Sequence, residues 1–120
     1  MTLQSLFFGL VALFVAGCGH SSRRGVDLEV VNRSTRLLQN VQANFGTSVC
    51  DWGVVGNNAT KGYMAYTGSI GSGAELKWEV DGRLVAKNVS LVGRYRPGVT
   101  ERLTFLIYDD RVEVASEPAR

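Results

Sequence analysis

Histidine is nearly missing from this sequence, which contains only His20, and cysteine is limited to Cys18 and Cys50. Catalytic Ser-His-Asp and Cys-His arrangements need a histidine held by a rigid scaffold, and zinc sites use several histidine or cysteine ligands. His20 lies in a short polar stretch that offers no such scaffold. We therefore expect a protein that is not an enzyme and that binds no metal or other cofactor.

Charge is missing from residues 1–17, so all 13 Lys and Arg and all 11 Asp and Glu lie in residues 18–120. The net charge of +2 is too small for the extended basic surface of a nucleic-acid binder. Hydrophobic residues make up 45% of the chain and charged ones 20%, which excludes a disordered polymer. The composition predicts one globular domain that does not bind nucleic acid.

The uncharged N-terminal stretch contains an apolar run, residues 6–15, followed by Ala16 and Gly17. This order is typical of a secretory signal peptide, which has small residues before its cleavage point. A helix from Leu6 to Cys18 would span about 20 Å, short of the roughly 30 Å hydrocarbon core of a bilayer. We predict that residues 1–17 form a signal helix that is removed, rather than a permanent membrane span.

The tetrad Val15-Ala16-Gly17-Cys18 directly follows the apolar run and resembles the lipobox of bacterial lipoproteins. That resemblance implies a diacylglyceryl group on the Cys18 thiol, cleavage before Cys18, and acylation of the new amino terminus, for example by palmitate. Two or more acyl chains anchor a protein stably to a membrane. Gly19, in place of aspartate, points by the same resemblance to the outer membrane of a Gram-negative cell. An ordinary signal peptide, with Cys18 lost or left as a structural thiol, is the alternative.

Residues 18–25 comprise the lipidated cysteine and a small polar segment without periodicity, which we interpret as a tether. Fully extended, residues 19–25 would reach about 24 Å. Arg23 and Arg24 would either contact anionic head groups or serve only in a soluble linker. Export places the domain in an oxidising compartment such as the periplasm, but Cys50 has no partner for an internal disulfide. We expect a buried, inert Cys50, with pairing to another chain as the alternative.

Residues 26–115 show the alternation of apolar and polar side chains that is typical of β-strands, and residues 116–120 are expected to form a C-terminal tail. A weak helical pattern occurs at residues 35–42. Turn residues such as Gly, Asn and Ser separate the apolar segments. The first half of the domain is therefore predicted to contain strands near residues 26–30, 41–45, 49–55 and 61–66.

The Asp81-Gly82 pair favours a hairpin with a two-residue type I′ turn, because both residues of that turn take positive φ. The resulting register pairs Trp78 with Val85 on the inner face, which is favourable. It also pairs Leu76 with Lys87, which is not, so a bulge or a longer loop is the alternative.

A second hairpin is predicted at Asp109-Asp110, where a two-residue loop pairs Ile107 with Val112 and Phe105 with Val114. Asp side chains commonly stabilise such turns, which explains this acidic pair without a catalytic or calcium-binding role. Seven or eight short strands predict an all-β fold, namely an antiparallel β-sandwich of immunoglobulin- or fibronectin-like type. The paired cysteines of true immunoglobulin domains are missing.

One candidate binding site is aromatic and comprises Trp52, Tyr63 and Tyr66. Aromatic side chains exposed together suit contact with a glycan or a protein. The alternative is that Trp52 and one tyrosine fill the hydrophobic core.

The other candidate binding site is the segment Arg94-Tyr95-Arg96, which is followed by a Pro-Gly pair. Two cations around an aromatic ring are typical of an anion-binding loop, and an exposed Pro-Gly turn explains the pattern as well. The whole sequence predicts an exported, lipid-anchored, non-catalytic binding or structural accessory of the bacterial cell envelope. Its partners would be the membrane, through Cys18, and an unidentified envelope protein or glycan. A periplasmic or extracellular ligand-binding module that uses exposed aromatics is the alternative.

Overall fold

The computed structural model describes residues 25–118, which form eight β-strands in two four-stranded sheets. The first sheet has the order β4-β1-β7-β8 and the second has the order β3-β2-β5-β6. The predicted all-β, sandwich-like fold is confirmed, whereas the predicted signal helix and Cys18 lie outside the described residues. The strands are β1 (Val26–Asn32), β2 (Leu38–Asn44), β3 (Val49–Val55), β4 (Thr60–Tyr66), β5 (Gly73–Val80), β6 (Arg83–Ser90), β7 (Thr100–Ile107) and β8 (Val112–Pro118).

At the centre of the first sheet, buried residues alternate strictly with outward-facing ones. Every second residue of β1 is buried, from Val26 through Leu28 and Val30 to Asn32, and the residues between them face outward. Phe105 and Leu103 of the neighbouring strand β7 are also fully buried. Burying an aliphatic or aromatic side chain of this size stabilises a fold by roughly 1.5–3 kcal/mol. These two strands therefore supply much of the hydrophobic core.

The central strands of the first sheet run parallel, which corrects the expectation of a purely antiparallel sandwich. Asp27 pairs with Arg102 and the parallel register continues to Asn32 and Ile107, whereas all other strand pairs are antiparallel in the described residues. The connectivity also differs from a constant-type immunoglobulin domain, in which the first two strands share a sheet. Here β1 and β2 lie in different sheets, because residues 33–37 carry the chain across the sandwich.

The helical pattern at residues 35–42 is part of a turn and of strand β2, so the weak helix prediction is wrong. Asn40 has a positive φ of 52°, and the register shifts between Leu38 and Val41. This β-bulge adds one residue, so Leu38 and Val41 are both buried although they are three residues apart. A bulge therefore reproduced the spacing of a helix.

The Asp81-Gly82 hairpin has the unshifted register that its sequence predicts. Asp81 and Gly82 have φ values of 53° and 78°, as a type I′ turn requires. Trp78 pairs with Val85, and Leu76 pairs with Lys87 without a bulge. The unfavourable second pair is tolerated because β6 is an edge strand on which the residue opposite Leu76 remains exposed. A charge on the inner side of an edge strand also discourages pairing with another chain.

The last hairpin is also confirmed, since Ile107 pairs with Val112 and Phe105 pairs with Val114. The N–H of Tyr108 donates to the carbonyl of Arg111 at 2.8 Å and closes the two-residue loop. Strand β8 continues to Pro118, three residues beyond the expected boundary of the domain, because its last residues still pair with the start of β7.

The connections fall into two groups at opposite ends of the sandwich. Residues 33–37, 56–59, 81–82 and 108–111 form one group, which we call the hairpin end. The other group, which we call the tether end, contains residues 45–48, 67–72 and 91–99 together with Gly25. The strand pairs Val26–Tyr66 and Asp27–Arg102 place the start of β1 beside the end of β4 and the start of β7.

Candidate functional site

The first described residue, Gly25, fixes where the N-terminal segment joins the domain. A β-carbon at this position would overlap the backbone carbonyl of Tyr66 and the carbonyl carbon of Ala65. Glycine is therefore required for the close approach of the entering chain to the end of β4. The predicted lipid site Cys18 lies seven residues earlier in the sequence. Any tether from that residue enters at the tether end.

The arginine segment lies at the same end, in the connection of residues 91–99. The N–H groups of Arg94 and Tyr95 each donate to the carbonyl of Leu91 at 2.9 Å, and Leu91 is buried. The N–H of Arg96 donates to the Thr100 hydroxyl at 2.9 Å. Internal hydrogen bonds therefore give this loop a defined shape.

Within this loop the aromatic ring and the two cations point in different directions. Tyr95 is half-buried and packs against the core, whereas Arg94 and Arg96 are exposed. No salt bridge involves either arginine within residues 25–118. Exposed guanidinium groups without a carboxylate partner suit contact with phosphate or carboxylate groups.

Two exposed valines flank the arginines, and sequence reasoning missed them. Val92 is 74% exposed and Val99 is 45% exposed. Neither valine belongs to a strand. In the sequence, the only sign of this region is that the alternation of apolar and polar residues stops near Leu91. The connection of residues 91–99 therefore presents both apolar and cationic side chains to its surroundings.

The three residues of the aromatic candidate do not form a common exposed surface. Trp52 and Tyr66 are buried, and the ring of Trp52 contacts Phe105 edge-on at a centroid distance of 6.0 Å. The indole Nε1 of Trp52 has no hydrogen-bond partner among the described residues. Tyr63 alone of the three is exposed, at 47%. The arrangement matches the alternative in which Trp52 and one tyrosine fill the core.

A bulge in β4 explains why the two tyrosines lie side by side. Ala65 has a positive φ of 54°, and its N–H donates to Oδ1 of Asp27 at 2.8 Å. Tyr63 and Tyr66 therefore share one side of the strand although they are three residues apart, and their rings meet edge-on at 5.6 Å. The Tyr66 hydroxyl hydrogen-bonds the Ser48 hydroxyl at 2.6 Å. Tyr66 thus links the two sheets at the tether end.

The remaining chemical groups do not converge on a reactive centre in the part of the chain that the structure describes. Within residues 25–118, no group of three or more His, Cys, Asp and Glu side chains is arranged so that it could hold a metal ion. Cys50 is buried and unpaired. Its burial, and secondarily the negative charge of Asp51, raises the pKa of the Cys50 thiol to about 12. A thiol of this kind remains protonated and is a poor nucleophile.

A shallow depression of about 390 Å³ lies at the hairpin end, between residues 35–39 and 79–82. Arg36 and Asp81 form a salt bridge of 3.1 Å at this position, and both side chains are more than half exposed. These charges neutralise each other in solvent. The depression therefore offers little binding energy to a charged ligand.

Comparisons with known proteins show a similarity of fold and no similarity of sequence family. Neither a protein-family model nor a curated protein sequence matches the chain. Among solved structures, the NMR structure of a protein from Eubacterium rectale is similar, with a TM-score of 0.58 and 11% sequence identity. The similarity covers 85% of this chain and 97% of that chain. Residues 25–118 contain no helix that is long and apolar enough to cross a membrane.

Proposed function

We propose that this protein is an exported, lipid-anchored β-sandwich that acts as a non-catalytic binding or structural accessory of the bacterial cell envelope. Cys18 is the lipidated mature N-terminus, and residues 19–25 are the tether. Gly19 favours the outer membrane if the cell is Gram-negative. The immunoglobulin- or fibronectin-like character that we propose concerns the layered architecture and not the order of the strands.

The observation that carries this proposal is the position of the lipobox-like tetrad relative to the domain. Val15-Ala16-Gly17-Cys18 ends an apolar run, and the described domain begins seven residues later at Gly25. Cleavage before Cys18 would therefore remove no residue of the sandwich. Its buried cluster draws on both sheets, with all of its members between Val26 and Ile107. The domain is compatible with an independent, tethered unit.

Mass spectrometry of the mature N-terminus tests the anchor directly. The expected product begins at Cys18 and carries the mass of a diacylglyceryl group, with or without a further acyl chain. The Cys18→Ala variant should remain unprocessed by lipid-dependent cleavage while residues 25–118 still fold. An intact Met1 in the native protein, or an unmodified cut at another residue, would exclude the proposal.

The accessory role is tested by capture of partners from the native envelope. Crosslinking in intact cells, followed by affinity purification of the lipidated chain, should recover an envelope protein or a glycan. The Cys18→Ala variant is the matched control, because it should no longer be held at the membrane. Separation of inner and outer membranes by density then tests the localisation. Recovery of the native chain in the inner-membrane fraction would contradict the outer-membrane assignment.

The second candidate function, a periplasmic or extracellular ligand-binding module, rests on Tyr63. This side chain is 47% exposed, and its neighbour Met64 is 72% exposed on the edge strand β4. A glycan or peptide that stacks on Tyr63 should shift its NMR resonances and those of Met64. The Tyr63→Ser variant should lose that response, whereas Tyr95→Ser should keep it. No response to a panel of envelope glycans and peptides would remove this candidate.

A further inference from the structure

We propose that the tether end of the sandwich is a docking surface for anionic lipid head groups, formed by Arg94 and Arg96 together with exposed Val92 and Val99. This inference rests on the lipid anchor proposed above and deepens it. The anchor specifies that the domain stays near a membrane. The docking surface specifies which end of the domain faces that membrane.

The first argument is the place where the chain enters. The parallel pairing of β1 and β7 puts Val26 at the same end as the start of β7, and residues 91–99 lead directly into β7. A tether of residues 19–25 reaches at most about 24 Å from the lipid. A strand of eight residues is itself about 26 Å long, so the hairpin end lies roughly one full domain length farther away. The tether end is therefore the end that the anchor holds against the bilayer.

The second argument is the distribution of charge. The connections at the tether end, residues 45–48, 67–72 and 91–99, contain two arginines and no Asp or Glu. The hairpin end is different, because Arg33, Arg36 and Arg111 are balanced there by acidic residues at 81, 109 and 110. Arg94 and Arg96, which form no salt bridge within residues 25–118, supply cationic groups that complement the phosphate groups of anionic lipids.

Acidic residues near the tether end lie on the strands and not in the connections. Asp27 accepts a hydrogen bond from the Ala65 N–H at 2.8 Å. Oε1 of Glu117 lies 3.9 Å from Nη1 of Arg102 in an ion pair. Glu101, which precedes Arg102 in the sequence, is exposed. These carboxylates belong to β1, β7 and β8, and Asp51 and Glu75, each the third residue of its strand, add two more from β3 and β5. They reduce the net charge of the region but leave the two loop arginines unpaired.

The third argument is the presence of apolar side chains next to the cations. Val92 is exposed by 74% and Val99 by 45%, and they flank Arg94 and Arg96 within nine residues. Side chains of this size would contact the boundary between head groups and acyl chains while the guanidinium groups bind phosphate. The hydrogen bonds from Arg94 and Tyr95 to Leu91 hold the loop in shape, so docking does not need the loop to fold first.

The experiment uses the full, lipidated chain in vesicles of phosphatidylcholine with or without phosphatidylglycerol. An environment-sensitive fluorophore is attached through Val92→Cys at the tether end, or through Leu84→Cys near the hairpin end as the matched control. Leu84 is 67% exposed and accepts a label equally well. Cys18 is occupied by lipid and Cys50 is buried, so the introduced thiol is labelled selectively. Brominated lipids then quench a label that contacts the bilayer.

We expect quenching of the label at position 92 in anionic vesicles, and none of the label at position 84. Each arginine near an anionic surface raises the equilibrium constant for membrane binding about fivefold. Arg94→Gln together with Arg96→Gln should therefore lower the docking equilibrium constant about thirtyfold. Arg33→Gln together with Arg36→Gln at the hairpin end should leave it unchanged. High salt should weaken docking, since the screening length falls to about 3 Å at 1 M.

Four outcomes would overturn the docking surface. Three of them are equal quenching at positions 92 and 84, quenching that does not depend on lipid charge or on the Arg94/Arg96 substitutions, and a fluorescence change at position 92 that occurs only when an envelope protein is added; the fourth is absence of quenching in a chain with an acylated Cys18. The third would assign the tether end to a protein partner. Mass spectrometry on the same sample separates the two proposals. An acylated Cys18 with an unquenched label refutes docking and leaves the anchor standing, whereas an unmodified Cys18 refutes both.

Discussion

The side-chain amide of Asn32 donates a hydrogen bond of 3.0 Å to the carbonyl oxygen of Val55, and this bond joins the two sheets. The same amide donates to the carbonyl of Arg36 at 2.8 Å, and its oxygen accepts from the N–H and the hydroxyl of Ser34 at 2.9 and 2.6 Å. Asn32 is fully buried, yet its donors and its acceptor are all paired. It therefore stabilises the point at which the chain crosses from the first sheet to the second.

Replacement of this amide should be strongly destabilising. Asn32→Ala leaves the buried carbonyl of Val55 without its donor, and we expect the free energy of unfolding to fall by about 3 kcal/mol. Asn57→Ala, at an exposed position in the neighbouring turn, is the matched control and should change it by less than about 0.5 kcal/mol. Urea unfolding followed by tryptophan fluorescence measures both. Similar midpoints for the two variants would show that the network does not contribute.

The type I′ turn predicts a second difference between matched variants. Gly82 has a φ of 78°, and a β-carbon there costs about 1 kcal/mol because L-residues resist this conformation. Gly82→Ala should therefore lower the midpoint of thermal unfolding. Gly71→Ala is the control, since Gly71 lacks a positive φ and has open space around its β-carbon position. If both variants have the same midpoint of thermal unfolding, the turn does not require glycine at position 82.

Local patterns explain why much of this fold could be predicted from the sequence. Alternation in β1 and the two turn pairs, Asp81-Gly82 and Asp109-Asp110, act between residues that are near one another in the chain. The pairing of β1 with β7 joins residues about 75 positions apart, so no local pattern in the sequence indicates it. The bulge at Asn40 was hidden as well, because its effect on spacing imitates a helix.

The same distinction between local and long-range effects applies to the candidate site. The exposure of Arg94 and Arg96 follows from their charge, and the sequence therefore predicted a cationic loop. That this loop lies beside the entry of the chain follows from the parallel pairing of β1 with β7, which no pattern in the sequence indicates. The inward position of Tyr95 depends likewise on the packing of the core. Site residues could thus be named before their arrangement was visible.

Cys50 predicts a specific dependence of stability on pH. Its pKa is raised by burial, and to a lesser extent by Asp51, from 9.0 to about 12. Between these values the unfolded thiol has lost its proton and the folded one has not, so the unfolded state binds fewer protons. The stabilisation is therefore complete below about pH 9 and declines as pH rises toward 12.

Cys50→Ala supplies the measurement, because it removes this titration while the other groups remain. The difference in unfolding free energy between the native protein and the variant should be constant below about pH 9 and shrink at higher pH. The native thiol should also resist aromatic disulfide reagents near neutral pH until the protein is unfolded. Rapid labelling of the folded protein, or a difference that does not vary with pH, would contradict the burial of this thiol.

Gly25 offers the last test, at the junction between the expected tether and the sandwich. A β-carbon there would overlap backbone atoms of Tyr66 and Ala65, which cannot move without disturbing the end of β4. Gly25→Ala should lower stability by roughly 1–3 kcal/mol, and amide exchange should accelerate at Val26 and Tyr66 first. Gly56→Ala, where nothing lies near the new β-carbon, is the control. Membrane retention should persist in both variants, because the proposed anchor is attached at Cys18 and not at the sandwich. Unchanged exchange at Val26 would show that the entering chain does not lie against β4.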